Sequence, residues 1–177
     1  TATTPSQTTI EDMQEQARRH LWMHFSRMGG YSDEHEIPII TRGEGAYVYD
    51  AHGKRYLDGL SGLWCVNAGH GRTELAEAAA RQFEELDFFV IWSYAHPRAI
   101  ELATKIASMT PGDLNRVFFT SGGGEAVESA LKLARNYHRM RGNGQKAKHI
   151  AREVAYHGTT LGALSATGVT NLRSQFE

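Results

Sequence analysis

Residues 116–140 read Arg116-Val117-Phe118-Phe119-Thr120-Ser121-Gly122-Gly123-Gly124-Glu125-Ala126-Val127-Glu128-Ser129-Ala130-Leu131-Lys132-Leu133-Ala134-Arg135-Asn136-Tyr137-His138-Arg139-Met140. A short apolar run meets three consecutive glycines, and apolar residues then recur at helical spacing up to Gly142. The spacing predicts a buried strand over 116–119, a tight turn, and a helix over 125–140. Three residues without Cβ let successive N–H groups converge beside the positive end of that helix, which makes an anion cradle. The same triplet is equally readable as a plain strand-to-helix turn. It carries no Gly-Lys-Ser/Thr and no spaced dinucleotide fingerprint, which disfavours a P-loop and a nicotinamide cofactor. No Lys or Arg lies in the loop, so its pull on a phosphate would come from N–H donors and a helix dipole worth about 0.3–1 kcal/mol, rising to about 2 in sheltered geometry.

Downstream, a second strand is expected over 150–154, then the turn Tyr156-His157-Gly158 and a short helix toward Ala166. Strands alternating with helices argue for an α/β sheet whose carboxyl edge gathers ligands, so this turn and the glycine triplet should open on one side. Tyr156 there either stacks on a flat heterocycle or caps the core with its hydroxyl outward. Upstream, Thr73 is placed to cap a helix running to Leu86, and Pro97 to start another that ends near Met109 before Pro111-Gly112. A hairpin is expected where Tyr47-Val48-Tyr49 and Arg55-Tyr56-Leu57 flank Asp50-Ala51-His52-Gly53. Apolar residues at Met13, Ala17, Leu21 and Phe25 predict an earlier helix from Ile10 to Met28, stopped by Gly29-Gly30. Threonine-rich residues 1–9 are expected to fray. The stretch Gly59 to Gly71, with no clean period, reads as a functional loop in which Trp64 walls a pocket or packs in the core. Trp92 and Tyr94 suit a subunit contact or a ligand contact.

Composition narrows the partners. Nineteen Lys plus Arg nearly balance twenty Asp plus Glu, which gives no reason to expect nucleic acid or an anionic membrane. No apolar run approaches the roughly 20 residues of a membrane span, and Thr1 to Thr9 lacks a signal-peptide pattern. The single Cys65 agrees with a reducing compartment, so a cytoplasmic location is expected. Nine histidines are scattered without metal-ligand spacing, and no metal is expected. Small molecules or another protein chain remain as partners.

Taken together, several segments resemble the class III pyridoxal-phosphate-dependent aminotransferases, in particular the omega-amino acid or amine:pyruvate transaminases. They are Thr41-Arg42-Gly43-Glu44-Gly45, Gly62-Leu63-Trp64-Cys65-Val66-Asn67 with Gly69-His70-Gly71, and Ala95-His96-Pro97. Val117 to Ala126 and Tyr156-His157-Gly158-Thr159-Thr160-Leu161-Gly162-Ala163 complete the set, which runs nearly the whole chain. The resemblance implies an α/β, fold type I pyridoxal-phosphate transferase in part. An N-terminal segment of the small domain would occupy 1–60, and the first, incomplete part of the coenzyme-binding large domain 61–177. It implies pyridoxal 5'-phosphate bound by Ser121, Gly122, Gly123, Gly124, Tyr156 and His157, with Phe25, Leu63 and Trp64 lining the substrate pocket.

The family usually has serine where this chain has Gly122 or Gly124, so bare backbone replaces a hydroxyl there and weaker coenzyme affinity is expected. His24 stands where related sequences often have proline. The Schiff-base lysine and the aspartate facing the pyridine nitrogen are expected beyond Glu177, so no catalytic residue falls within the chain. Lys54, Lys105, Lys132, Lys146 and Lys148 read as solvated. The implied partners are an amine donor, a keto-acid acceptor, the remainder of the enzyme, whether as a separate chain after a nick at a loop tip or absent from this sequence, and further copies in a homodimer or tetramer. Two alternatives stay open: a truncated, non-catalytic binding or oligomerisation module, and another class III activity such as ornithine or 4-aminobutyrate transamination or semialdehyde aminomutation.

Overall fold

The computed structural model describes residues 8–174 and residue 176. Of the expected fraying of 1–9, residues 1–7 lie outside the described residues and Thr9 instead caps the first helix, while the expected loop tip at Glu177 also lies outside them. The chain forms two compact units, Thr1–Phe89 and Val90–Glu177.

In the first unit, α1 (Ile10–His20) starts at a reciprocal cap. Thr9 Oγ1 accepts from the Asp12 N–H at 3.1 Å, and Asp12 Oδ2 accepts from the Thr9 N–H at 3.2 Å. The helix ends at His20, not at Met28 as its apolar spacing predicted. Leu21 leaves the helix with extended backbone, and Phe25 takes a φ of +54°, which no right-handed helix accommodates. Only a 3-10 turn, Met28–Gly30, meets the expected glycine stop. Gln14 on α1 is buried and brackets the backbone of buried Ile37, donating to its carbonyl at 2.8 Å and accepting from its N–H at 3.0 Å.

Strands β1 (Ile40–Glu44), β2 (Tyr47–Asp50) and β3 (Arg55–Leu57) form an antiparallel sheet in sequence order. The β2–β3 hairpin is the expected one, and its turn is closed by Asp50. Asp50 Oδ1 accepts from the N–H groups of His52 (3.0 Å) and Lys54 (2.9 Å), and Oδ2 from the Tyr56 hydroxyl (2.8 Å). Gly53 at φ +80° supplies the backbone conformation that turn requires. After α2 (Ser61–Trp64) comes α3 (Thr73–Glu85). Thr73 is not its cap: Arg72 holds that position, with its guanidinium bonded to Glu74 and to the Ala68 carbonyl.

The second unit contains α4 (Pro97–Ala107), α5 (Gly123–Met140), α6 (Leu161–Ala166) and α7 (Thr170–Arg173). Pro97 opens α4 as expected, with His96 Nδ1 accepting from the Ala99 N–H at 3.4 Å. The strands expected over 116–119 and 150–154 are not formed: neither segment pairs with another strand among the described residues, and 153–154 is a turn. An apolar run becomes a strand only where a neighbour takes its N–H and C=O groups. Phe118 and Ile150 accordingly stand exposed. The best-buried part of this unit lies around α6, where Ala163, Leu164 and Thr167 pack beside α5.

Candidate functional site

The glycine triplet and the Tyr156 turn, more than 30 residues apart in sequence, face one cavity of about 540 Å³ in the second unit. Ser121, Gly122, Gly123, Gly124, Tyr156 and His157 all line it, together with Glu125, Val127, Gly158, Thr159 and Thr160. No Lys or Arg is among the lining residues.

One wall is the start of α5. Gly122 is its N-cap in extended backbone and offers no side chain to the helix end. Among the described residues no acceptor is assigned to the N–H groups of Gly123, Gly124 and Glu125. These are the donors that a helix start leaves orphaned. A Cβ at Gly122 or Gly123 would meet nothing within 4 Å. The Ser121 N–H donates to Glu125 Oε2 at 3.1 Å, and the Ser121 hydroxyl first, with this N–H second, holds the Glu125 carboxyl below the ordinary glutamate range. That gives Glu125, whose part was illegible in the sequence, the job of fixing the loop ahead of its own helix.

The other wall is the turn 156–160, held from two sides. Thr167, fully buried, accepts from the His157 N–H at 3.1 Å, and its hydroxyl lies 3.1 Å from the Ala163 carbonyl and 3.3 Å from that of Gly158. Glu128 on α5 takes bonds from Thr160 and from the start of α6. Its carboxyl is held below the ordinary range, first by the Thr160 hydroxyl and then by the Gly162 N–H. Gly158, with φ at +128°, comes into van der Waals contact with Gly124. Tyr156 is 57% exposed, with its side chain open beside the cavity. Thr167 and Glu128 escaped the sequence reading because nothing local marks them. Thr159-Thr160 lay within a quoted motif without a role.

Phe25, Leu63 and Trp64 belong to the first unit and all are exposed, Phe25 at a turn and the other two in α2. Ser61, Gly62, Leu63 and Trp64 all have φ between +51° and +64°, so α2 is a left-handed turn. For a residue with a Cβ that conformation costs about 1–2 kcal/mol. The turn is pinned by Asp58 Oδ2, which accepts from the Gly62 N–H at 2.7 Å and faces His70 Nε2 at 2.8 Å. His70 is tied in turn to β1's edge by paired backbone bonds with Gly45, of 2.8 and 3.0 Å. The expectation of a job-bearing loop therefore meets a strained segment with large apolar side chains presented outward.

Among the described residues no three His, Cys, Asp or Glu side chains gather as a metal site would require, and no helix is long and apolar enough to cross a membrane.

The family model "Aminotransferase class-III" matches residues 30–177. A probable aminotransferase of Mycobacterium tuberculosis is 55% identical over 159 residues, which are 90% of this chain and 34% of that protein. The beta-alanine–pyruvate aminotransferase of Pseudomonas aeruginosa is 41% identical over 88% of this chain and 34% of its own length. Among solved structures, an (S)-enantioselective omega-transaminase from Thermomicrobium roseum superposes with a TM-score of 0.90 at 42% identity, covering 96% of this chain and 38% of that one. The expected fold class therefore holds along the chain trace, although 116–119 and 150–154 form no strands among the described residues. The chain spans about a third of the length of the curated relatives it matches.

Proposed function

This chain belongs to the class-III aminotransferases, and on that premise we propose that it is the N-terminal part of an enzyme moving an amino group from an omega-amino acid or amine to a keto acid such as pyruvate, through pyridoxal phosphate. The family implies the coenzyme. The observation that carries its placement is the cavity between α5 and the 156–160 turn, with unpaired N–H donors at its floor and an exposed tyrosine at its side.

In this reading Ser121, Gly122, Gly123 and Gly124 hold the phosphate end, the N–H groups of α5 supplying directed donors and the helix its positive pole. Tyr156 covers the ring and keeps water from that face, with His157 beside it. Bound there, pyridoxal phosphate supplies an aldehyde for the incoming amine and a protonated ring that takes up electron density as the substrate's proton leaves. Phe25, Leu63 and Trp64 form the apolar wall for the substrate. The lysine that moves the proton and the aspartate that keeps the ring nitrogen charged are assigned to the remainder of the enzyme.

The same reading assigns 1–60 to the small domain and 61–177 to the large one, a homodimer or tetramer to the assembly, and the cytoplasm to its location. The apolar faces exposed on α3, α4 and α5, such as Phe83, Ile100 and Leu133, are then covered by the remainder of the enzyme or by a second subunit. Titrating the full-length protein with pyridoxal phosphate, and comparing turnover of beta-alanine, 4-aminobutyrate and an arylalkylamine with pyruvate, tests the function. Coenzyme uptake with beta-alanine or amine turnover is expected. A protein that takes up no coenzyme would be a binding module instead, and one that turns over only 4-aminobutyrate would have another class III activity.

A further inference from the structure

The cavity is built from two segments distant in sequence, and one residue outside its lining joins them by several hydrogen bonds. Glu128 Oε1 accepts three hydrogen bonds from a segment more than 30 residues away: the Thr160 hydroxyl at 2.8 Å, the Gly162 N–H at 2.8 Å and the Ala163 N–H at 3.3 Å. The two N–H groups are first-turn donors of α6, which has no side-chain cap from its own N-cap, Thr160. A carboxylate from α5 thus takes the place of the local cap.

The approach is close. A Cβ at Gly162 would stand 2.7 Å from Glu128 Oε1, so a side chain there would push the carboxylate out of its present place. Thr160 works in both directions. Its hydroxyl is bonded to Glu128, and its Cγ2 lies 3.2 Å from where a Cβ of Gly124 would be. Fixing the Thr160 rotamer therefore fixes the distance between the turn and the last glycine of the triplet.

We infer that Glu128 is a positioning residue for the coenzyme cradle: by tying Thr160 and the start of α6 to α5, it holds the Tyr156–His157 wall at its working distance from the glycine wall. The inference rests on the coenzyme reading given above. Glu128 touches neither coenzyme nor substrate in this scheme and acts through Thr160.

The test uses the full-length protein and the variants E128A and E128Q, with pyridoxal phosphate as the probe. Three properties are read: the coenzyme Kd of the apo form, the induced circular dichroism of the bound coenzyme, and hydrogen exchange across 156–163. A carboxamide keeps an oxygen that can accept from Thr160 and Gly162, whereas alanine keeps none. E128A is expected to raise Kd by about tenfold or more, alter the induced dichroism and speed exchange at Gly162 and Ala163. E128Q is expected to restore all three most of the way. If E128A does not fold, T160V, which removes only the hydroxyl donor, is expected to shift Kd and dichroism in the same direction. An E128A or T160V protein that binds with wild-type Kd and dichroism overturns the role of Glu128 while leaving the coenzyme reading intact. An E128Q protein as impaired as E128A also overturns it, because charge and not position would then matter. A wild-type protein that takes up no pyridoxal phosphate overturns the coenzyme reading itself.

Discussion

Gly158 lies directly against Gly124: a Cβ built on Gly158 would stand 3.0 Å from the Gly124 Cα and 3.1 Å from the Ala163 Cβ. At φ +128° Gly158 also occupies backbone space that residues with a side chain rarely adopt. Two independent demands, conformation and clearance, thus fall on one residue at the point where the two walls of the cavity touch. Gly158→Ala is expected to destabilise the protein by about 1–3 kcal/mol and to weaken coenzyme binding by prising the turn off α5. Urea unfolding and coenzyme titration check the two effects. An alanine variant with wild-type stability would show that the contact is not maintained in solution.

Gly122 poses the opposite case. Its φ of −171° is extended backbone open to any residue, and a Cβ there meets nothing within 4 Å. Gly122→Ser restores a hydroxyl at the N-cap of α5, where serine exceeds glycine by about a few tenths of a kcal/mol. The variant is expected to melt slightly higher and to bind pyridoxal phosphate more tightly than the wild type, as calorimetry and titration would record. Gly124→Ser should gain less, since its Cβ would crowd Thr160 Cγ2 at 3.2 Å.

Leu63 is 62% exposed and held at φ +64°. Leu63→Gly removes the left-handed penalty of about 1–2 kcal/mol and little buried area, so thermal stability should rise or hold. If Leu63 lines the substrate pocket as proposed, the same variant raises KM for hydrophobic amines while kcat for a small donor changes little. Steady-state kinetics with beta-alanine and an arylalkylamine separate the two, and equal effects on both donors would count against the assignment.

The hairpin and the α2 turn hang on two aspartates whose carboxyls are held below the ordinary value of 3.8: Asp50 first by the Tyr56 hydroxyl, Asp58 first by His70. A group whose folded pKa is depressed contributes stability above its unfolded pKa and loses it as pH falls through the folded one. Hydrogen-exchange protection of the hairpin amides should therefore hold from neutral pH down to the ordinary aspartate value and decline below it. Asp50→Asn is expected to flatten that acid decline. An unchanged acid limb in the variant would show that other groups control it.

Several elements were legible in the residues alone. The helix after the glycine turn, expected from Glu125 and formed from Gly123, the hairpin around Gly53 and proline at the head of α4 are local decisions, settled within a few residues by φ preferences and helix periodicity. The six residues expected to hold a phosphate-bearing ring could be named because glycine and tyrosine at two turns carry their chemistry in their identity, and they do share one cavity. Periodicity misled at α1, where apolar residues continued in register past His20 but the chain turned away at Leu21.

What the sequence by itself determined, then, is where this chain can turn, coil and leave donors unpaired. Tertiary structure alone decided that Gly158 would meet Gly124, that Thr167 would sit under His157 and that Glu128 would cap a helix 33 residues ahead of it. It also decided that 116–119 and 150–154 form no strand among the described residues. The physical reason is common to all of these. A hydrogen bond or van der Waals contact between distant segments depends on the partner's arrival, and no preference of the residue itself encodes it.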